Sequence, residues 1–288
     1  MFVTTFFAIS GTVLYYNYST MISFKKFYFK RWKSIFPSYY ICFLYFYTSN
    51  VVKLKKIFYS FHWSRLIFTV FGMDGYFLYR FNTYYLIGEW FMGAFIIIYA
   101  LYPLLLWIIN KNFLVLHLFL CIGFLLMYKT EYFDIQRSRN IITCINSFVF
   151  GISVIKLKNL FFSNIFIFVI SSIQLIFLCN VKISSCILIH QLQGFSLFIV
   201  LLRIGKYIMA TRLSIIIQVI SNLSYFIFLV HHHIIITIFS LYNPSEWYFH
   251  LLLIGAAIIL SIIYSKIFSI IVTNIIKSFI FKKLESLF

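Results

Sequence analysis

The chain has 288 residues, of which 63% are hydrophobic, 23% aromatic and only 10% charged. Lys and Arg number 24 against 6 Asp and Glu, a formal net charge of +18. A soluble chain carries about 25% charged residues to cover its surface, so a soluble globule, a disordered chain and a secreted disulfide scaffold are all excluded. An integral membrane protein remains, its apolar surface facing lipid. Basic residues that punctuate apolar runs follow the positive-inside rule, so the charge reads as topology and not as nucleic-acid binding. Cys42, Cys121, Cys144, Cys179 and Cys186 are scattered through apolar runs with no C-x-x-C pair. They read as small buried hydrophobes rather than redox or metal residues.

A spanning helix needs ~20 mostly apolar residues. Apolar segments lie near 2–18, 35–50, 61–79, 84–109, 113–128, 141–155, 160–180, 184–202, 214–241 and 247–275. The loops between them are short, with no repeat and no low-complexity linker, which predicts one helix bundle over residues 1–288. The first segment begins at once with Met1-Phe2-Val3. Without a basic leader or a small-residue cleavage site it reads as a span, not a signal peptide.

If all these segments crossed, the basic loops would favour the outside, against the positive-inside rule. The weakest segment is 61–79, which carries His62, Arg65, Gly72, Asp74 and Gly75. If it does not cross, every later loop changes side. The cluster at 24–33, then Lys111, Lys156, Lys158, Arg203, Lys206, Arg212 and the basic tail fall inside, while Asp74, Glu131, Asp134 and Glu246 fall outside. The expectation is therefore an all-α, multi-pass protein of about nine spans. Its N-terminus is outside and its C-terminus cytoplasmic, and 51–83 is an external or re-entrant segment. An outside N-terminus with no helix before it suggests that one more span precedes Met1.

Several residues could carry chemistry. Lys30, Arg31 and Lys33 stand just before Pro37, which suits the first turn of a following helix. Cations beside a helix N-terminus make a phosphate site; the same residues equally suit a positive-inside anchor on anionic lipid. Glu89 lies within an apolar segment, where a carboxylate is expensive and points to function. The alternative is an interfacial Glu paired with Arg80 or Arg65. His231, His232 and His233 are consecutive and fan out at about 100° per residue, so they do not converge on a metal. His231 shares a helix face with Ser221, Ser224 and Phe228, which suits a general base or a core His bonded across helices. Ser10 beside Gly11 reads as a close-packing or pocket-lining pair, since no nucleophile elbow surrounds it. Asp74, between Gly72 and Gly75, reads as a turn residue or as the lining of an outside acceptor cleft.

These stretches carry a resemblance. Phe6-Phe7-Ala8-Ile9-Ser10-Gly11, followed by Lys30-Arg31-Trp32-Lys33-Ser34-Ile35-Phe36-Pro37, is similar to the Phe-Phe-x-x-Ser-Gly helix and Arg-rich loop of the acyltransferase-3 family of membrane acyltransferases. Leu86-Ile87-Gly88-Glu89-Trp90-Phe91, running to Tyr99 and Pro103, resembles that family's glutamate helix. Ser224-Tyr225-Phe226-Ile227-Phe228-Leu229-Val230-His231 resembles its late histidine helix. The order is the family's and most of the chain is covered. Two departures stand out. Ser34 occupies a position where the family usually has Arg, leaving the task to Lys33, and Lys lacks the bidentate fork of Arg. The family core has about ten spans, and the first carries a His; this chain resembles it only from the second span onward.

The resemblance implies an O-acyltransferase of the cell membrane. It would move an acyl group, most simply acetyl, from an acyl-CoA such as acetyl-CoA to a sugar hydroxyl. The acceptor would be an exopolysaccharide, capsule or cell-wall glycan, or a lipid-linked sugar. Glu89 and His231 would be catalytic, and Lys30, Arg31 and Lys33 would hold the donor's phosphates. Ser10, Trp90, Ser224, Tyr225 and Asp74 would line the pocket. The lipid bilayer is the other partner, with no nucleic acid, no metal and no permanently bound cofactor. The alternatives are a transporter of a lipid-linked glycan or small molecule, and an inactive truncated acyltransferase.

Overall fold

A computed structural model describes residues 1–20, 23–57, 62–87, 90–129, 135–180, 187–241 and 246–276. Nearly all of it is helix, and no strand occurs among these residues. The helices are α1 (Phe2–Tyr18), α2 (Phe24–Leu54), α3 (Leu66–Val70), α4 (Asp74–Phe77), α5 (Trp90–Lys111), α6 (Phe113–Lys129), α7 (Ile141–Lys156), α8 (Lys158–Ser163), α9 (Ile165–Asn180), α10 (Ile187–Ile208), α11 (Leu213–Leu241) and α12 (Trp247–Ile276). Four of them, α5, α10, α11 and α12, are long and apolar enough to cross a membrane. The shorter apolar helices include α6, α7 and α9. Large apolar side chains are exposed along them, for example Phe119, Ile173, Ile216 and Leu252. Such surfaces suit lipid and not water; the chain is an all-α, membrane-associated protein.

Two sequence expectations meet the structure directly. The apolar stretch at 61–79 does not form one long helix. It breaks into a 3₁₀ turn at Trp63–Arg65, then α3, then α4. Gly72, between the last two, has φ +65, a backbone that side-chain-bearing residues rarely adopt. The basic stretch at 24–33 differs from its expected loop. It forms the first turns of α2, which starts at Phe24 behind the Ser23 cap and runs unbroken to Leu54. Lys and Arg are good helix formers, and Phe27 is buried among neighbours, so nothing local stops the helix. Pro37 therefore sits inside α2, not at its start. Its missing N–H leaves the carbonyl of Lys33 without the usual helical donor.

The chain divides into two compact units: residues 1–22 with 101–215, and 23–100 with 216–288.

In the first unit, α1, the second half of α5, α7 and α10 pack together. Small residues bring the backbones close. A Cβ built on Gly11 would lie 2.0 Å from the carbonyl oxygen of Phe148, and one on Gly151 would lie 1.9 Å from that of Ala8. Polar side chains tie these helices, as expected where the surroundings are apolar. Thr12 donates to Gly151 O at 2.9 Å and Thr5 to Gly194 O at 3.0 Å. These ties also give direction. Tyr102 donates to the carbonyls of Leu14 and Tyr18, and Asn110 to that of Ser19, so α5 runs parallel to α1. Tyr102 lies against Phe148 while Lys156 donates to Ile109 O at 2.8 Å, so α7 runs parallel to α5. Gln191 bonds Thr143 and Ser147, Phe195 stacks on Phe150, and Phe198 packs on Val154, so α10 runs parallel to α7. Two helices oppose them. His117 bonds Ser153 at 2.9 Å while Thr143 meets Met127, which makes α6 antiparallel to α7. Gln174 accepts from Ser196, and Gln193 donates to Leu178 O, which makes α9 antiparallel to α10.

In the second unit a hydrophobic core joins α2, α11, α12 and the segment before α5. Tyr39, Cys42, Tyr84, Met92, Leu229 and Phe268 are buried there. Tyr225 donates to Ile35 O at 3.1 Å, and His233 lies over Phe46 with ring centroids 4.2 Å apart. The pairing runs forward on both helices, so α11 is parallel to α2.

Candidate functional site

Most of the expected site residues fall in the second unit; Ser10 is half-buried on α1 in the first. Glu89 lies outside the described residues. Trp90, half-buried, is the first described residue of α5 and meets Phe91 edge-on.

The most distinctive group is Asp74. It opens α4 and is only 2% exposed. Tyr39 of α2, buried equally, donates to Asp74 Oδ2 at 3.2 Å. Thr83 donates to the backbone carbonyl of Asp74 at 3.0 Å, fastening the extended strip at 82–87 beneath it. Asp74 Oδ1 and Thr69 Oγ1 are both buried and outside hydrogen-bond geometry with any described group. Two orphaned polar atoms in one buried place are costly. The Thr69 hydroxyl lies close enough to act on the Asp74 carboxyl, so the two atoms just miss bonding each other. Burial pushes the Asp74 carboxyl up to about 6, with the nearby Thr69 and Tyr39 hydroxyls pulling the other way. An acid so tuned titrates within the range used for proton handling.

α11 carries the other group. His231 is half-buried, and its Nδ1 lies 3.1 Å from Ile227 O and 2.9 Å from Phe228 O. Carbonyls only accept, so Nδ1 is the donor, which leaves the lone pair of a neutral ring at Nε2. Phe228 lies beside the ring at 6.1 Å and meets Phe91 edge-on at 4.5 Å. His232 faces Tyr85 at 6.4 Å. The shared face of Phe228 and His231 is therefore present. Ser224 is exposed and its hydroxyl returns to Ser221 O of the same helix, at 2.7 Å. Tyr225 spends its hydroxyl on Ile35 O and so fixes α11 against α2.

Lys30, Arg31 and Lys33 all sit on α2, Lys30 exposed and the other two half-buried. Because the helix begins at Phe24, they do not flank its N-terminus, and the dipole does not add to their attraction for phosphate. Charge alone remains. Among the described residues, no three His, Cys, Asp or Glu gather as metal ligands would.

Tyr39, Thr69 and Thr83 were not singled out for chemistry by the sequence. Thr69 lies five residues from Asp74, but Tyr39 comes from another helix, 35 positions away. Only folding reveals that pair. No family model matches the chain, and no similar curated protein or solved structure is found.

Proposed function

We propose that the protein is a multi-pass O-acyltransferase of the cell membrane, moving an acetyl or similar acyl group from acyl-CoA to a sugar hydroxyl of a surface glycan. The observation that carries this reading is the register of α2 against α11. Tyr225 is level with Ile35, Lys33 lies two residues before Ile35, and His231 lies six residues after Tyr225. At 1.5 Å per residue, the basic turn and His231 stand about 12 Å apart along the helix direction. An extended phosphopantetheine arm covers that distance. Lys30, Arg31 and Lys33 would hold the phosphates at one level and leave the thioester near His231 at the other. His231 Nε2 takes the proton of the acceptor hydroxyl as its oxygen attacks the thioester carbonyl. The C–S bond breaks, the thiolate leaves as CoA-SH with the proton from His231, and the ester remains. Asp74 and Thr69, with their unfilled hydrogen-bond positions, would orient the acceptor sugar.

The proposed topology has nine crossings, with 62–87 on the outer side. Helix directions support it. The parallel run of α1 and α5 requires an odd number of crossings between them, and α2 alone supplies it. Had 61–79 crossed as well, α1 and α5 would oppose. In a cysteine-free background, R137C should react with an impermeant maleimide from outside intact cells. K206C should react only after permeabilisation; the reverse pattern overturns the topology.

Cells deleted for the gene and complemented with it are the functional test. The acetyl content of surface glycan should fall on deletion and return with the wild-type gene. His231→Ala should lower transfer by roughly 10²–10⁴-fold, the ordinary contribution of a positioned acid–base, and Glu89→Gln should also fail to complement. Unchanged acetylation in the deletion strain would sink the reading.

A further inference from the structure

The first unit holds a cleft of about 550 Å³, walled by Tyr16, Phe162 and Ile155 and edged by Lys158, Asn159 and Lys206. Three of these residues lie within the last turns of α1, α7 and α10. Those helices run parallel, so the cleft sits where all three end. The described residues of this unit include no Asp or Glu, so among them its cations meet no neutralising carboxylate. Lys156 is committed to the carbonyl end of α5, donating to Ile109 O. Lys158 and Lys206 have no hydrogen-bond or ion-pair partner among the described residues. Neither donates to a helix-end carbonyl as Lys156 does, although Lys206 stands in the last turn of α10. Beside the cleft, Arg203 and Lys206 line a small pocket of about 10 Å³, close to the room of one water. The Arg203 guanidinium donates to Phe162 O, while its Nε is buried without a partner. A buried donor thus stands beside Lys206.

We propose that this cleft binds a phosphate ester of an amphiphile, foremost the headgroup of an anionic phospholipid. The proposal rests on the topology above, which sets these helix ends at the cytoplasmic surface, and not on acyl transfer. Basic pockets between membrane helices on that side take such headgroups. Lys158 and Lys206 supply the charge, and the Asn159 amide supplies a further donor. Phe162 and Tyr16 give the apolar wall that a glycerol backbone and the first methylenes need. A free inorganic anion would use the lysines but not that wall.

The full-length protein, purified and returned to nanodiscs of phosphatidylcholine with or without phosphatidylglycerol, tests this. Lipid retained on release into detergent is read by native mass spectrometry. The K158Q/K206Q variant should retain phosphatidylglycerol about tenfold less per lysine removed, with phosphatidylcholine unchanged, and K158R/K206R should restore it. In the wild type, phosphatidylglycerol should shield Lys158 and Lys206 from acetylation by an amine-reactive ester, which needs no variant to fold. If pyrophosphate instead protects the wild type from heating, but not the glutamine variant, and lipid retention is equal, the cleft takes its phosphate from a soluble source. Equal retention, no shielding and no effect of pyrophosphate overturn the proposal. Unchanged glycan acetylation in the deletion strain, with lipid retention intact, would strike the enzymatic reading alone.

Discussion

Gly151→Ala and Gly11→Ala should each lose most of the folded protein, although alanine is the better helix former. A methyl group on Gly151 would meet Ala8 O at 1.9 Å, and one on Gly11 would meet Phe148 O at 2.0 Å. Both obstacles are backbone and cannot swing aside. The helices α1 and α7 must separate, which loosens the hydrogen bond from Thr12 to Gly151 O with them. Overpacking costs about 1–3 kcal/mol where side chains can adjust, and backbone obstacles put these sites at or above the upper end. Gly205 and Gly255 provide the contrast, since a Cβ there meets nothing within 4 Å. Their alanine variants should gain about 0.5–1 kcal/mol from helix propensity. Thermal unfolding in detergent, followed by size-exclusion chromatography, separates the two pairs. Equal behaviour in all four variants would refute the close crossing.

Asp74→Asn should make the protein more stable at neutral pH and less active. The ordinary value of this carboxyl is 3.8, and burial raises it to about 6 in the folded protein. A folded value above the unfolded one means that the neutral acid is favoured on folding. Its contribution is fully present below about pH 4 and is lost as pH rises through 6. The gap of about two pH units corresponds to roughly 3 kcal/mol by pH 7. Asparagine carries no charge, so that loss disappears. Its amide oxygen still accepts from Tyr39, and its NH₂ can donate to Thr69 Oγ1. The variant should melt higher above pH 6, and its pH dependence between 4 and 6 should flatten. A buried charge that weakens the fold points to function, so on the proposed reading acyl transfer should fall. An Asp74→Asn protein that is less stable at pH 7, with acetyl transfer intact, would contradict both halves.

Much of the architecture was legible from local chemistry. The apolar segments that became α1, α5, α6, α7 and α10 to α12 are visible because helix length and lipid exposure both write themselves as continuous apolar sequence. The weakness of 61–79 was legible too, through its charges and glycines, and the structure breaks it at Gly72. The start of α2 was not. Pro37 and the basic run suggested a boundary, yet the helix passes through both, because Phe27 and Pro37 are buried by neighbours that sequence spacing does not reveal. The site was only half legible. His231 could be placed on a face with Phe228, but the carbonyls that orient its ring follow from its rotamer.

Sequence alone determined the class of solvent. With 10% charged residues the chain cannot cover itself for water, and that conclusion needs no coordinates. Tertiary structure decided which residues act together. Asp74 is a turn residue by sequence and a buried, half-satisfied acid once Tyr39 arrives from α2. Lys158 and Lys206 are ordinary basic residues by sequence until the parallel ends of α1, α7 and α10 enclose a cleft beside them. Burial and orphaned hydrogen-bond positions arise from neighbours distant in the chain, and only the packed helices bring those neighbours near.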